Sequence, residues 1–192
     1  MLPPKKAIVI DTCIAHDAGG ENTFRQPAKS CREFLVSVRK LGFRVVMSED
    51  MLEEWEKHVF VFLDKRSGRK RFAHLWFEEM RKKKLIKKVG DVKDYMLRNR
   101  IQDTSDDENH QAMEKDCHLL EAALATDKIV FSSDKRIRNH FRNAAVSVHE
   151  IKPIHWANPA LPEDDVIAWL SAGALDDEKR QLGYAEHERK KS

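Results

Sequence analysis

Short, continuous apolar runs alternate along the chain with stretches of helical spacing. The first run, at residues 7–11, reads Ala-Ile-Val-Ile-Asp and predicts a strand buried on both faces of a parallel sheet. Residues 43–47 and 128–134 predict two more strands, and residues 146–151 predict a further one. The predicted strands over 7–11 and 128–134 both end on an aspartate.

Between these strands, apolar residues recur at intervals of three and four, which is typical of amphipathic helices. One helix is expected from Pro27 until Gly42 ends it, and another after Ser48, which suits an N-cap. The other predicted helical segments are 60–100 with breaks near 67 and 90, His110–Ala125, 135–142, 163–173 and 176–183.

Strands that alternate with helices through short links predict an α/β protein with three layers, α/β/α, and a mostly parallel central sheet. Residues 12–24 hold two adjacent glycines and are expected to form a loop. We divide the chain into a domain over 1–152, which includes a basic helical insertion at 60–100, and a C-terminal extension over 153–192 of helices and a polar tail.

Composition fits one globular domain, because 41% of the 192 residues are apolar although 35% are charged. No apolar run approaches the roughly 18 residues that cross a bilayer. The run before Asp11 is also too short for a signal-peptide core, so we expect a cytoplasmic protein without a membrane partner. Three cysteines without a CxxC pair argue against a disulfide scaffold or a zinc site.

The net charge of +3 conceals a strong asymmetry, since basic residues dominate 65–93 and acidic residues dominate 103–116. A basic block beside an acidic one suits a polyanion-binding protein that uses a metal, whereas two solvated helix faces are the alternative. The basic side chains that could contact nucleic-acid phosphates are Arg66, Arg69, Lys70, Arg71, Lys82, Lys83 and Lys84.

Four acids could converge on one point, because functional groups gather at the carboxyl ends of parallel strands. Asp11 and Asp134 end predicted strands, while Glu54 and Asp116 lie on predicted helices among apolar residues. Carboxylates suit one or two Mg²⁺ or Mn²⁺ ions, which can activate water for attack on a phosphodiester. Each acid also has a structural alternative: a strand-end turn, a first-turn acid, a surface acid or a helix cap.

Hydroxyl groups next to two of these acids are candidate supporting residues. Thr12 follows Asp11, and Ser132 and Ser133 precede Asp134. One of the serines could donate to a metal-bound water or to a site carboxylate.

Three segments of the chain resemble motifs of the PIN-domain family, best known from VapC-type toxins of toxin–antitoxin pairs. The segment 7–13, Ala-Ile-Val-Ile-Asp-Thr-Cys, is similar to the first strand of the family. The segment 48–55 is similar to the second motif, in which a serine precedes the metal-site glutamate by six residues, and this register selects Glu54 over Glu53. Residues 116–125 and 129–134 are similar to the third and fourth motifs.

The resemblance implies a PIN-like fold and Mg²⁺- or Mn²⁺-dependent cleavage of RNA. It implies that the catalytic and metal-site residues are Asp11, Glu54, Asp116 and Asp134. An RNA substrate, a protein antitoxin or another partner encoded nearby, and a homodimer are therefore expected.

Three departures from the family pattern bear on this function. Cys13 replaces the usual asparagine, the segment from about 64 to 110 is longer and more basic than in a compact toxin, and the tail after Pro153 lies beyond the motifs. The alternatives to an endoribonuclease are a nucleic-acid-binding module with little catalysis, a DNA-directed flap-type nuclease, and an interaction protein built on the C-terminal helices.

Overall fold

The structure is a computed structural model that describes residues 5–19, 27–61, 71–105 and 107–184. The protein is an α/β protein whose single sheet is flanked by helices, as the sequence predicted. The strands, in chain order, are β1 (Ala7–Ile10), β2 (Arg44–Met47), β3 (Ile86–Lys88), β4 (Ile129–Phe131) and β5 (His155–Ala157).

Eight α-helices are present in the described ranges, together with shorter 3-10 and π-helical segments. The α-helices are α1 (Thr12–Asp17), α2 (Ala28–Leu41), α3 (Glu49–Trp55), α4 (Phe72–Lys82), α5 (Tyr95–Gln102), α6 (Asp107–Leu124), α7 (Lys135–Ala144) and α8 (Val166–Ser171). The other helical turns are a π-helical segment at Glu56–Phe60 and 3-10 turns at His149–Ile151, Pro162–Asp164 and Glu178–Arg180. None of the described helices is both long and apolar enough to cross a membrane.

The five strands are all parallel and lie in the order β3-β2-β1-β4-β5. The chain leaves β1 toward β2 and β3, and then returns to the other side of β1 for β4 and β5. This reversal puts a topological switch point between the carboxyl ends of β1 and β4, where open α/β sheets form their clefts. Helices α2, α4 and α8 pack together, as do α5, α6 and α7, so helices cover both faces.

Burial explains why the apolar runs become central strands. All four residues of β1 are fully buried, as expected for a strand covered by helices on both faces. On one face, Phe131 of β4 packs between Phe34 of α2 and Trp169 of α8. At the β5 edge of the sheet, Trp156 of β5 packs against Phe141 of α7.

Local signals placed two helices correctly. Gly42 ends α2 with a φ of 74°, a left-handed conformation that glycine adopts without strain. The Ser48 side chain accepts a hydrogen bond from the Met51 N–H and caps α3.

The loop predicted over 12–24 is wrong at its start, where α1 forms. The Asp11 side chain accepts from the Cys13 N–H, and this N-cap allows the helix to begin immediately after β1. Residues 20–26 lie outside the described residues.

The helical prediction for 60–100 is wrong at Ile86–Lys88, which is strand β3. These residues are half-buried or exposed, so they carry little hydrophobic pattern of their own. Parallel pairing with β2 satisfies their backbone groups and makes them an edge strand.

The strand predicted over 146–151 is also wrong. Val146 is 74% exposed and lies in a turn, and a 3-10 turn follows at His149–Ile151. The next strand is β5, which pairs with β4 and therefore brings residues beyond 152 into the sheet.

Candidate functional site

A cleft of about 280 Å³ opens at the carboxyl ends of β1 and β4, at the switch point of the sheet. All four predicted acids line this cleft, although they come from four separate elements. The lining residues are Asp11, Thr12, Cys13, His16, Glu54, His58, Lys115, Asp116 and Asp134.

Asp11 is held in a fixed orientation by its neighbours. Its Oδ2 accepts hydrogen bonds from the Ser132 hydroxyl at 2.6 Å and from the Cys13 thiol at 3.0 Å. Its Oδ1 accepts from the Cys13 N–H at 3.1 Å and from the Thr12 hydroxyl at 3.3 Å. The residue is only 8% exposed, so these bonds offset the cost of burying a carboxylate at the cleft wall.

Cys13 takes part in this network as a hydrogen-bond donor. Burial and the adjacent Asp11 charge raise the pKa of its thiol far above the ordinary value, so the thiol stays protonated. Its sulfur also accepts from the Ser133 N–H at 3.2 Å. The thiol therefore supplies a hydrogen bond at the position where the similar motif has asparagine.

Glu54 reaches the cleft from α3 with a side chain 15% exposed. Its Oε2 lies 3.5 Å from His118 Nε2, and its Oε1 lies 3.9 Å from Lys115 Nζ. Burial raises the pKa of Glu54, but His118, together with Lys115 and Thr12, outweighs burial, so the pKa is lowered and the group is a carboxylate. Glu53, by contrast, has a 68% exposed side chain that pairs with Lys57.

His118 lies behind Glu54 and is almost fully buried. Its Nδ1 lies 2.8 Å from the Lys115 carbonyl oxygen, which can only accept, so Nδ1 carries a proton; in the protonated imidazolium, Nε2 also carries a proton and faces Glu54. Burial lowers the pKa of His118, but the contact with Glu54, the Lys115 carbonyl and the charges of Glu54 and Asp116 together outweigh burial, and the net shift is upward. The imidazole thus holds the Glu54 carboxylate in place.

Asp116 lies on α6 and faces the other acids. Burial, followed by the negative charge of Asp11, raises the pKa of Asp116 to about 7, against the opposing charges of His118 and Lys115. Within the described part of the chain, its side chain makes no hydrogen bond. The group is therefore divided between its neutral and charged forms near neutral pH.

Asp134 follows β4 and caps α7. Its Oδ1 accepts from the Arg136 N–H at 2.8 Å and from the Ile137 N–H at 3.0 Å. The structural alternative of a helix cap is therefore realised, yet the same side chain also lines the cleft. Capping and a role in the cleft are compatible, because the cap occupies one carboxylate oxygen.

The two serines before Asp134 have different partners. Ser132 donates to Asp11 and accepts from the Asp134 N–H at 3.1 Å, so it links two of the acids. Ser133 donates to Asp17 at 2.6 Å, at the end of α1. Ser132 thus supports the site directly, whereas Ser133 fixes α1 beside it.

Among the predicted phosphate-binding residues that the structure describes, none lines the cleft. Arg66, Arg69 and Lys70 lie outside the described residues. Arg71, Lys82 and Lys83 flank or belong to α4 and are absent from the cleft lining, and Lys84 lines a separate cavity.

Lys115 is the cationic side chain that does line the cleft, together with the imidazoles of His16 and His58. Sequence reasoning left Lys115 out because the basic block at 65–93 pointed elsewhere. The signal that could have found it is its position directly before Asp116 on a helix that faces the sheet.

The donor set fits a hard divalent cation, because it consists of carboxylate oxygens. No three carboxylate, imidazole or thiol groups among the described side chains are close enough to form a ready-made metal site. Burial and then the negative charge of Asp11 raise the pKa of Asp116, and a bound cation would favour its charged form.

Comparisons with protein-family models, with curated proteins and with solved structures gave no match to this chain.

Proposed function

We propose that the chain is a metal-dependent endoribonuclease that hydrolyses phosphodiester bonds in the cleft at the ends of β1 and β4. The observation that carries the proposal is the convergence of Asp11, Glu54, Asp116 and Asp134 on one cleft at the switch point of the sheet. Asp11, Glu54 and Asp134 have hydrogen-bond or ion-pair partners, whereas burial and the Asp11 charge disfavour the ionised form of Asp116, and a divalent cation bound among the four acids would favour that form.

The four acids would hold one or two Mg²⁺ or Mn²⁺ ions, with Asp11 as the most rigid member because of its four hydrogen bonds. A bound ion would supply an activated water and would neutralise charge on the phosphodiester. Ser132 and Cys13 orient Asp11, and His118 orients Glu54.

Two further side chains have roles that follow from their chemistry. Lys115 contributes a positive charge within the cleft, where it can contact a substrate phosphate. Asp116 is partly protonated at neutral pH in the cation-free chain, and cation binding at the cleft would favour its charged form. No covalent enzyme intermediate is needed, because water is the nucleophile.

RNA as the substrate, a toxin role with an antitoxin or a neighbour-encoded partner, and a homodimer belong to the proposal through the resemblance to the PIN-domain family. The basic residues between 65 and 93 would guide RNA from outside the cleft.

The test is cleavage of labelled single-stranded RNA by the purified chain with Mn²⁺, with EDTA, and in acid variants. Asp11→Asn and Glu54→Gln should each reduce the cleavage rate by at least about a hundredfold. Glu53→Gln is the matched control, because Glu53 is adjacent on α3 but exposed, and it should cleave like the wild type.

Equal cleavage by the wild type and Asp11→Asn would refute the assignment. Tight RNA binding without cleavage under every common divalent metal would favour a binding module instead. Faster cleavage of branched DNA than of RNA would favour a DNA-directed nuclease.

A further inference from the structure

A second cavity, of about 570 Å³, lies apart from the carboxylate cleft and shares no lining residue with it. Its apolar lining comes from the ends of β2 and β3 and from the helical segments between them. These apolar residues are Met47, Leu52, Phe60, Phe77 and Ile86.

One continuous helical stretch, Glu49–Phe60, separates the cavity from the cleft. Leu52, Glu56 and Phe60 recur every four residues and line the cavity. Glu54 and His58, also four residues apart, line the cleft on another side of the same stretch. The cavity is therefore a distinct site and does not continue the acid cleft.

The charge around the cavity is set by three cations, Arg81, Lys84 and Lys88. None of the three has an ion-pair partner within the ranges that the structure describes. Two acids also line the cavity, but Glu78 lies 3.6 Å from His74, which leaves Glu56 as the exposed acid. A ligand that fills the apolar interior thus meets three cations against two acids around the cavity, which leaves an excess of positive charge.

Lys84 occupies a backbone position that disfavours lysine. Its φ is 57°, and it ends α4 in a Schellman motif, in which the Lys84 N–H donates to the Arg81 carbonyl and the Leu85 N–H donates to the Met80 carbonyl. Glycine is the residue that suits this position without strain. A lysine that lines a cavity from a strained backbone position can therefore be removed, by Lys84→Gly, without destabilising the fold.

We propose that this cavity binds a small organic anion with an apolar body, such as a medium-chain carboxylate. The volume lies in the range of sites for small molecules, and such sites combine an apolar lining with a few convergent polar groups. The apolar body fills the space beside Phe60 and Phe77, and the anionic group contacts Lys84 and its neighbouring cations. The proposal does not rest on the nuclease function.

The probe is 8-anilinonaphthalene-1-sulfonate, an aromatic anion that fluoresces in apolar surroundings, with decanoate as a competitor. Trp55 reports on the cavity wall, since its ring centroid lies 5.3 Å from that of Phe77 and 6.1 Å from that of Phe60. The wild type should bind one probe molecule per chain, transfer energy from tryptophan to the probe, and release the probe when decanoate is added.

Lys84→Gly should weaken probe binding by about tenfold, because one charge-assisted contact is lost. The matched control is Lys128→Gly, which removes a lysine at a similar φ of 58° after α6, away from the cavity, and should leave the affinity unchanged. N-phenyl-1-naphthylamine, the uncharged analogue, should bind Lys84→Gly as it binds the wild type. Asp11→Asn should bind the anionic probe like the wild type, which separates this test from that of the nuclease.

Equal affinity of the wild type and Lys84→Gly for the anionic probe would overturn the proposal. Binding of several probe molecules per chain, or equal weakening by Lys84→Gly and Lys128→Gly, would overturn it as well. Displacement by uridine monophosphate at lower concentration than by decanoate would reject the proposed ligand class.

Discussion

Replacing Asp116 with asparagine should make the metal-free protein more stable at alkaline pH, although it removes an acid from the proposed active site. Burial and the Asp11 carboxylate raise the pKa of Asp116 to about 7, so ionising this group in the folded chain is unfavourable. Asparagine has nearly the same shape and carries no charge. Because the Asp116 side chain makes no hydrogen bond within the described residues, the substitution breaks none there.

The sign and size of the effect follow from the two pKa values. The unfolded chain has an aspartate pKa of about 3.9, so between pH 4 and 7 the folded chain binds more protons and stability falls as the pH rises. Below pH 4 the Asp116 carboxyl is protonated in both the folded and the unfolded chain, so it does not lower the free energy of unfolding. A shift of about three pKa units corresponds to at most ~4 kcal/mol above pH 7, and solvent at the open cleft reduces this to about 1–2 kcal/mol.

The assay is thermal and denaturant unfolding in EDTA at pH 4 and pH 8. We expect Asp116→Asn to unfold about 3–6 °C above the wild type at pH 8 and at the same temperature at pH 4. Glu114→Gln is the control, because it removes an exposed acid from the same helix and should show no such pH dependence. Adding Mn²⁺ should stabilise the wild type more than Asp116→Asn.

An Asp116→Asn variant that is no more stable than the wild type at pH 8 in EDTA would refute the reasoning. It would mean that burial and the Asp11 charge do not raise the pKa of Asp116 as described, and the proposed cation site would lose its electrostatic support.

Two more predictions concern the core. Glu121 is 3% exposed and forms two hydrogen bonds of 2.7 Å with Arg98. Glu121→Gln leaves the buried guanidinium with only Asp50, a half-exposed carboxylate 3.7 Å away, and should cost about 3 kcal/mol in urea unfolding. A loss below ~0.5 kcal/mol would show that solvent reaches the pair. Burial raises the pKa of Cys31 and Cys117 to about 12, so both thiols should resist Ellman's reagent in the folded protein at pH 8 and react in concentrated guanidinium chloride. Rapid labelling of either thiol before unfolding would contradict their burial.

The central strands could be predicted because burial on both faces leaves a readable trace in the sequence. β1 and β4 are continuous apolar runs, and all of their residues are buried. β3 has no such apolar run, because it is an edge strand with two lysines. Its strand conformation depends on pairing with β2. The strand prediction for 146–151 was wrong because spaced apolar residues also occur in turns. Here the turn buries two of its apolar residues, Val148 and Ile151.

The acids of the candidate site could be found from sequence because they follow strands or interrupt apolar stretches. Their neighbours could not be found in this way. His118 lies against Glu54 because α6 packs across α3, and the Cys13 thiol reaches Asp11 because that aspartate caps α1. The basic residues of α4 do not line the carboxylate cleft, because α3 and the π-helical segment lie between α4 and the cleft.

By itself, the sequence determined the α/β class and the apolar strands β1 and β4 that precede Asp11 and Asp134, because these depend on local hydrophobic periodicity. The choice of Glu54 over Glu53 came from the register of the family motif that residues 48–55 resemble. The tertiary structure decided that the chain crosses from one side of β1 to the other, which brings the four acids to one cleft. It also decided the electrostatics of that cleft. A pKa depends on burial and on charges that are distant along the chain, and neither is encoded in the neighbouring residues.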